Sequence, residues 1–212
     1  MNPITLLLAD DHLLIRQSLS QYLESTSDFS VVAEALSADE VVIAVQQYKP
    51  QIALIDIELP GDGLRACQEL YSHVPATKVI LLSSYDWDVY LVNAWTCNAA
   101  AFVVKTATTD ELTQVLHLVA AGDCRFTPEQ CQRIESWQQT VGEKLQRLTL
   151  RQHEVLEMLV AGYTNVEIAE ALVISTKTVE SHVSQVFAKL QLASRREVID
   201  WAQQTQALLL RR

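Results

Sequence analysis

Residues 4–11 read ITLLLADD and residues 52–56 read IALID: in each, a short apolar run ends on aspartate. Apolar runs of about four to eight residues suit strands covered on both faces of a parallel sheet. Comparable runs stand at 31–35, 79–82 and 101–104. Between them lie stretches with helical spacing and marked beginnings. Ser37 with Glu40, and Thr108 with Glu111, have the spacing at which a hydroxyl and a later carboxylate close the first turn of a helix. Strands alternating with helices in this way predict an α/β domain, a doubly wound five-stranded parallel sheet, over residues 1–122.

In such sheets ligands bind beyond the carboxyl ends of the strands. Asp10 and Asp11 end the first strand, Asp56 the third, Ser83 the fourth and Lys105 the fifth. Carboxylates gathered at one sheet edge repel unless a hard cation neutralises them. Mg2+ suits oxygen ligands, with water and phosphate oxygens completing its shell. Beside such an ion, one carboxylate can attack a phosphoryl group. The Ser83 hydroxyl and the Lys105 ammonium can then serve the new phosphoryl oxygens. Singly, an acid after a strand caps a helix and a lysine there is a solvated end. The set, in this order along the sheet, carries the reading.

Residues 123–146 break the rhythm with Pro128, a glutamine-rich patch and Gly142, and are set apart as a linker with a short helix after Pro128. From Leu148 onward no strand signal remains. Helices are expected at 150–161, 165–172, 176–190 and 195–209. Thr149 with Gln152, Thr164 with Glu167 and Ser194 with Glu197 mark three starts, and Ser175 caps the fourth. Residues 147–212 therefore form a small all-α four-helix domain.

Charge divides the chain in the same place. Residues 1–125 carry a net −10, while residues 143–212 carry a net +1 with local basic clusters. That split suggests two functions, although a nearly neutral back half is a weak footprint for nucleic acid. No apolar run approaches the roughly 20 residues of a membrane span. The N-terminus lacks the basic region of a signal peptide, so a cytoplasmic protein without a membrane partner is expected. Cys67, Cys97, Cys124 and Cys131 show no C-x-x-C spacing and are expected to be buried or idle thiols.

Residues 4–121 resemble a receiver domain with a flavodoxin-like fold, through LLLADDH (6–12), LIDIELPGDGL (54–64), VILLSSYD (79–86) and AAFVVK (100–105). Residues 148–198 resemble the LuxR-type helix-turn-helix. Landmarks there include Glu167-Ile168-Ala169, Thr178-Val179, His182 and Lys189-Leu190. The whole is similar to the NarL/FixJ response regulators, and the resemblance spans all but the linker and the last dozen residues. It implies that Asp56 is the phosphoacceptor and that Asp10, Asp11, Asp56 and the Glu58 backbone carbonyl hold Mg2+. It further implies that Ser83, Phe102 and Lys105 form the switch. The implied donor is a sensor histidine kinase. The implied targets are double-stranded DNA and RNA polymerase, reached through a homodimer formed on activation. Apart from its own phosphoryl transfer and autodephosphorylation, the protein is expected not to be an enzyme.

In the recognition helix this resemblance identifies, Val179, Val183, Val186 and Leu190 fall on one stripe. Thr178, Glu180, Ser181, Ser184 and Gln185 are then candidates to read bases in the major groove. Thr164, Lys177, Lys189, Arg195 and Arg196 are candidates for phosphates. Gln152, where the family mostly has glutamate, is expected to matter little as a helix-start residue. Three further departures stand out. Gly63 follows Asp56 by seven residues where the family has eight, and Asn98 and Ala101 replace frequent glycines. The short loop is expected to leave the site intact, and the entry to strand five is expected to be stiff. Tyr85, Trp87 and Tyr90 are expected on the surface of the helix after Ser83, suited to a contact that changes with phosphorylation.

Two other readings compete. A phosphoaspartate hydrolase would also place an acid, here Glu58, two residues after its nucleophile, but no cap domain can be drawn. A receiver acting as an interaction protein with weak or no DNA binding would suit Glu180 and the acidic balance. Neither G-x-G-x-x-G nor a P-loop is present.

Overall fold

A computed structural model describes residues 3–123 and 126–205. Cys124 and the expected helical residues 206–209 lie outside them. The chain divides into two compact units, Met1–Cys131 and Gln132–Arg212.

In the first unit, strands β1 (Ile4–Ala9), β2 (Phe29–Ala35), β3 (Ile52–Asp56), β4 (Lys78–Ser83) and β5 (Ala101–Val104) form one sheet in the order β2-β1-β3-β4-β5. Every pairing is parallel. Helices α1 (Leu13–Ser25), α2 (Ala38–Tyr48), α3 (Gly63–His73) and α4 (Asp88–Thr96) connect successive strands, and α5 (Thr109–Ala120) follows β5. Alternation sorts the two faces. Leu6, Leu8, Ile52, Leu54, Ile80, Leu82, Ala101 and Val103 pack with Leu23 of α1 and Leu112, Leu116 and Val119 of α5. The intervening Leu7, Ala53, Ile55, Leu81 and Phe102 are buried on the other side. Burial on both faces explains why the strands read as unbroken apolar runs.

The loop after Asp56 closes one residue early by using two backbones in the left-handed region, Gly61 (φ 83°) and Asp62 (φ 77°). Asp62 Oδ1 accepts from the N–H groups of Leu64 and Arg65, capping α3. Asn98 also takes positive φ (61°), a conformation asparagine tolerates and glycine usually fills. Cys67 and Cys97 are free and buried.

The stretch read as a linker is mostly helical. Helix α6 (Pro128–Trp137) passes into a π-helical turn (Gln138–Gly142) and then α7 (Glu143–Gln146). Ile134, Trp137, Val141 and Leu145 are buried at helical spacing, and Trp137 Nε1 donates to the Thr205 carbonyl. The division of the chain falls within α6, and residues 132–146 belong to the second unit because these side chains need a core.

The rest of the second unit comprises α8 (Leu150–Val160), α9 (Asn165–Leu172), α10 (Thr176–Leu190) and α11 (Arg195–Thr205). Thr149 and Thr164 make full capping boxes with Gln152 and Glu167. Val155, Leu159, Ile168, Ala169 and Val179 form the core. Val173 ends α9 at φ 55° with its side chain 89% exposed, a conformation that costs a β-branched residue. Among the described residues, no helix is long and apolar enough to cross a membrane.

Candidate phosphorylation site and DNA-binding helix

The strand order places the ends of β1, β3, β4 and β5 side by side. Asp10, Asp56 and Ser83 are buried there, while Asp11 and Glu58 are exposed. Lys105 reaches in from beyond β5. Its Nζ donates to Asp56 Oδ2 at 2.8 Å and lies 2.7 Å from Asp10 Oδ2. Burial is the main cause holding the Asp56 carboxyl above its ordinary pKa, outweighing the lysine that favours its charge. Burial alone would lower Lys105, but its contacts to Asp10 and Asp56 reverse that and raise it.

The pocket remains electrostatically unbalanced. Ligand atoms of Asp10, Asp11, His12 and Asp56 lie within 4.8 Å of one another, and one ammonium faces three carboxylates. Asp10 Oδ2 is buried and lies 2.7 Å from Lys105 Nζ, which it shares with Asp56. Three carboxylates gathered around a single ammonium are hard oxygen donors that fit a divalent cation.

Ser83 turns toward its own loop. Its Oγ donates to the Tyr85 carbonyl at 2.9 Å and accepts from the Tyr85 N–H at 3.0 Å. Phe102 is buried in β5 opposite Leu81, and its carbonyl accepts from Gln130 Nε2. The aromatics after Ser83 are arranged differently from the surface set expected. Tyr85 stacks on Trp87 at 4.3 Å and Trp87 on Tyr90 at 5.4 Å. Tyr85 and Trp87 precede α4, and Tyr90 is buried with its hydroxyl donating to Glu58 Oε1. Burial, with Glu58 beside it, pushes the Tyr90 phenol up to about 12.

Sequence reasoning passed over two members of this site. His12 follows the acid pair, and adjacency was its only signal. Arg16 is buried in α1, where its Nε donates to Glu34 and its Nη1 to the Asp10 carbonyl, both at 2.6 Å. A lone arginine in an apolar first helix was the available sign.

In the second unit, Val179, Val186 and Leu190 of α10 are fully buried and Val183 half-buried. Lys177, Thr178, Glu180, Ser181, Ser184 and Gln185 are exposed on the other side. Several of these polar groups already have partners within the unit. Thr164 is committed to its capping box, and Arg195 donates to the Tyr163 carbonyl and Asn165 Oδ1. Thr178 bonds Ser175, and Ser184 donates to the Glu180 carbonyl. Gln152 serves the helix start as expected, completing the capping box with Thr149, and it has a second role that the sequence did not suggest. It is 3% exposed; its Nε2 donates to Gln185 Oε1 and its Oε1 accepts from Lys189 Nζ, both at 2.7 Å. A buried amide must find such partners, and here it draws two of the candidate DNA contacts toward α8. Lys177, Glu180 and Ser181 face outward from the amino-terminal half of α10.

Comparison with known proteins bears on both sites. Residues 6–117 match the family described as response regulator receiver domain. Residues 146–202 match bacterial regulatory proteins, luxR family. The chain is similar to the response regulator protein VraR of Staphylococcus aureus, 30% identical over 200 residues that cover 94% of this chain and 96% of that one. Among known structures, the response regulator ChrA of a heme-sensing two-component system aligns with TM-score 0.57 at 27% identity, covering 98% of this chain and all of the other. RcsB from Salmonella enterica serovar Typhimurium, bound to a promoter with BeF3-, aligns with TM-score 0.67 at 24% identity over 94% of this chain and 98% of that chain.

Proposed function

The chain belongs to the response regulators, joining a receiver domain to a LuxR-type DNA-binding domain, and from that premise we propose that phosphorylation of Asp56 by a sensor histidine kinase controls its dimerisation and sequence-specific DNA binding. The observation that carries this is the buried Asp56 carboxylate, held by Lys105 at the meeting of four strand ends. Asp10, Asp11, Asp56 and the Glu58 carbonyl would hold Mg2+. The ion would neutralise charge on the transferring phosphoryl group.

The remaining steps belong to this chain's own residues. Asp56 Oδ1 is oriented by the Glu58 N–H at 3.2 Å, and the other oxygen is screened by Lys105. Arg16 fixes the Asp10 backbone. Ser83 leaves Tyr85 to meet the phosphoryl oxygens, and Phe102 moves into the space it vacates. Activation thus biases an element with two arrangements and shifts a closed or monomeric form to a dimer whose paired helices read half-sites about one turn apart. The protein acts in the cytoplasm, contacts RNA polymerase at its promoters, and catalyses nothing beyond its own phosphoryl transfer and dephosphorylation.

The test joins chemistry to output. Acetyl phosphate with Mg2+ should add one phosphoryl group by intact mass, and Asp56→Asn should abolish it. Genomic immunoprecipitation should then recover specific sites with the wild type and lose them with Asp56→Asn. No adduct on the wild type sinks the receiver chemistry; equal site recovery sinks the control. A second reading, an interaction protein with weak DNA binding, is favoured by Gln185 and Lys189 being drawn to Gln152. Adduct formation without any enriched site would select it.

A further inference from the structure

Cys67 and Cys97 stand 30 residues apart and on different elements, yet the fold brings them together. Cys67 lies inside α3, and Cys97 caps the carboxyl end of α4. Cys67 Sγ donates to the Cys97 carbonyl at 3.6 Å, and Cys97 Sγ donates to the Ala94 carbonyl at 3.4 Å. The Cys67 thiol is also within hydrogen-bonding reach of the Cys97 sulfur. The two thiols are unequal. Cys67 is 0% exposed and Cys97 7%, so an oxidant arriving from solvent meets Cys97 first. The hydrogen bond from Cys67 holds the Cys97 thiol below its ordinary pKa, against the opposing effect of burial. That same bond, and burial with it, push the Cys67 thiol up. A thiol that ionises more readily, beside one that keeps its proton, is the arrangement of an attacking sulfur and its resolving partner.

We propose that Cys67 and Cys97 form an oxidisable dithiol site that takes hydrogen peroxide and closes to a reversible disulfide between α3 and the end of α4. The Cys97 sulfur attacks one peroxide oxygen. The S–O bond forms, the O–O bond breaks, and the released hydroxide takes the Cys97 proton as water. The Cys67 sulfur then attacks the Cys97 sulfur. The S–S bond forms, the S–O bond breaks, and the departing hydroxide takes the Cys67 proton as a second water. Two thiols lose two electrons and one peroxide gains them. Pairing draws together two sulfurs already within hydrogen-bonding reach to the roughly 2 Å of a disulfide. Burial excludes bulky oxidants such as glutathione disulfide, and in a reducing compartment such a bond is transient. Its consequence rests on the switch proposed above. In the chain α4 lies between Ser83 and Phe102, so a bond at its carboxyl end restrains the repacking that follows phosphorylation.

The test treats the full reduced chain with hydrogen peroxide, alkylates it after denaturation and maps peptides without reductant. The wild type should lose two of its four alkylatable thiols and yield a peptide joining Cys67 to Cys97, and dithiothreitol should restore both. Cys67→Ala should stop at a sulfenic acid on Cys97, trapped by dimedone. Absence of the joined peptide, or pairing of either residue with Cys124 or Cys131, overturns the site whatever Cys67→Ala does. Glutathione disulfide should leave the pair untouched, and equal oxidation by it overturns the restriction to small oxidants. Sedimentation with acetyl phosphate then compares reduced and oxidised wild type, of which the oxidised should dimerise less. Equal dimerisation of the two overturns the restraint. No dimer even in the reduced protein overturns the switch reading, while the peptide map decides the dithiol site independently.

Discussion

Gly63 packs its α-carbon so closely against Asp56 that a methyl group there would overlap the Asp56 carbonyl oxygen and approach the Ile57 carbonyl to 3.1 Å. The first residue of α3 and the end of β3 therefore share space that only glycine leaves. Gly63→Ala should destabilise the receiver by about 1–3 kcal/mol, as overpacking does, and slow formation of the adduct proposed for Asp56. Gly142 is the control. Its nearest neighbour would be Trp137 at 3.6 Å, and Gly142→Ala should be neutral or stabilising by about 0.5–1 kcal/mol. Thermal unfolding of the two variants checks the contrast, and equal effects would refute it.

Gln152 joins α8 to α10 through Gln185 and Lys189. Gln152→Leu removes the amide that ties α8 to Gln185 and Lys189 and the side chain that closes the Thr149 capping box, at a cost of about 0.5–2 kcal/mol. Gln152→Glu keeps an acceptor for Lys189 and needs only a flip of the Gln185 amide. Chemical denaturation should rank wild type and Gln152→Glu close together and Gln152→Leu well below.

Val173 holds a left-handed backbone that costs an ordinary L-residue roughly 1–2 kcal/mol, and its exposed side chain returns little. Val173→Asn, or Val173→Gly, should raise the melting temperature. A fall would mean that the valine packs in a way its exposure conceals.

Glu167 is held below its ordinary pKa of 4.5 by the Thr164 N–H, then by the Thr164 hydroxyl. A folded pKa below the unfolded one adds stability that is present above the unfolded value and disappears as pH falls through the folded one. Unfolding of wild type and Glu167→Gln across acid pH should therefore differ most near neutrality and converge as the glutamate protonates. A gap that persists in strong acid would contradict the cap.

Lys177 and Ser181 divide positioning from reading on α10. Lys177→Ala should weaken binding to all sequences alike and lower the salt slope by about one. Ser181→Ala should instead change the preferred motif. Lys189→Ala should lower fold stability as well as affinity, because its ammonium is shared with Gln152. Binding measured against salt, with melting curves alongside, separates the three.

The strands and the four carboxy-terminal helices were legible because each carries a local signal, an apolar run of the right length or a capping pair such as Thr164 with Glu167. The strand ends then followed from order alone. What escaped was tertiary. Ile134, Trp137, Val141 and Leu145 do repeat at helical spacing, but glutamines and Gly142 among them masked the pattern, so a packed helix read as a linker. Gln152 looked like a capping residue and is one; nothing local foretells that α10 would bring Gln185 and Lys189 to its other atoms. Tyr90 was expected on the surface because its hydrogen-bond partner, Glu58, lies 32 residues away along the chain.

The hydrogen bond from Gln130 to the Phe102 carbonyl has a bearing on how the protein survives in crowded solution. β5 is a margin of the sheet, where open carbonyls invite strand addition from another molecule. The side chain at the start of α6 fills one of them, and Gln130 belongs to the receiver unit. A receiver trimmed at residue 122 loses that cover and gains a self-adhesive border. Trimming after residue 131 keeps it. The longer fragment should therefore self-associate less than the shorter one, which sedimentation of the two would show.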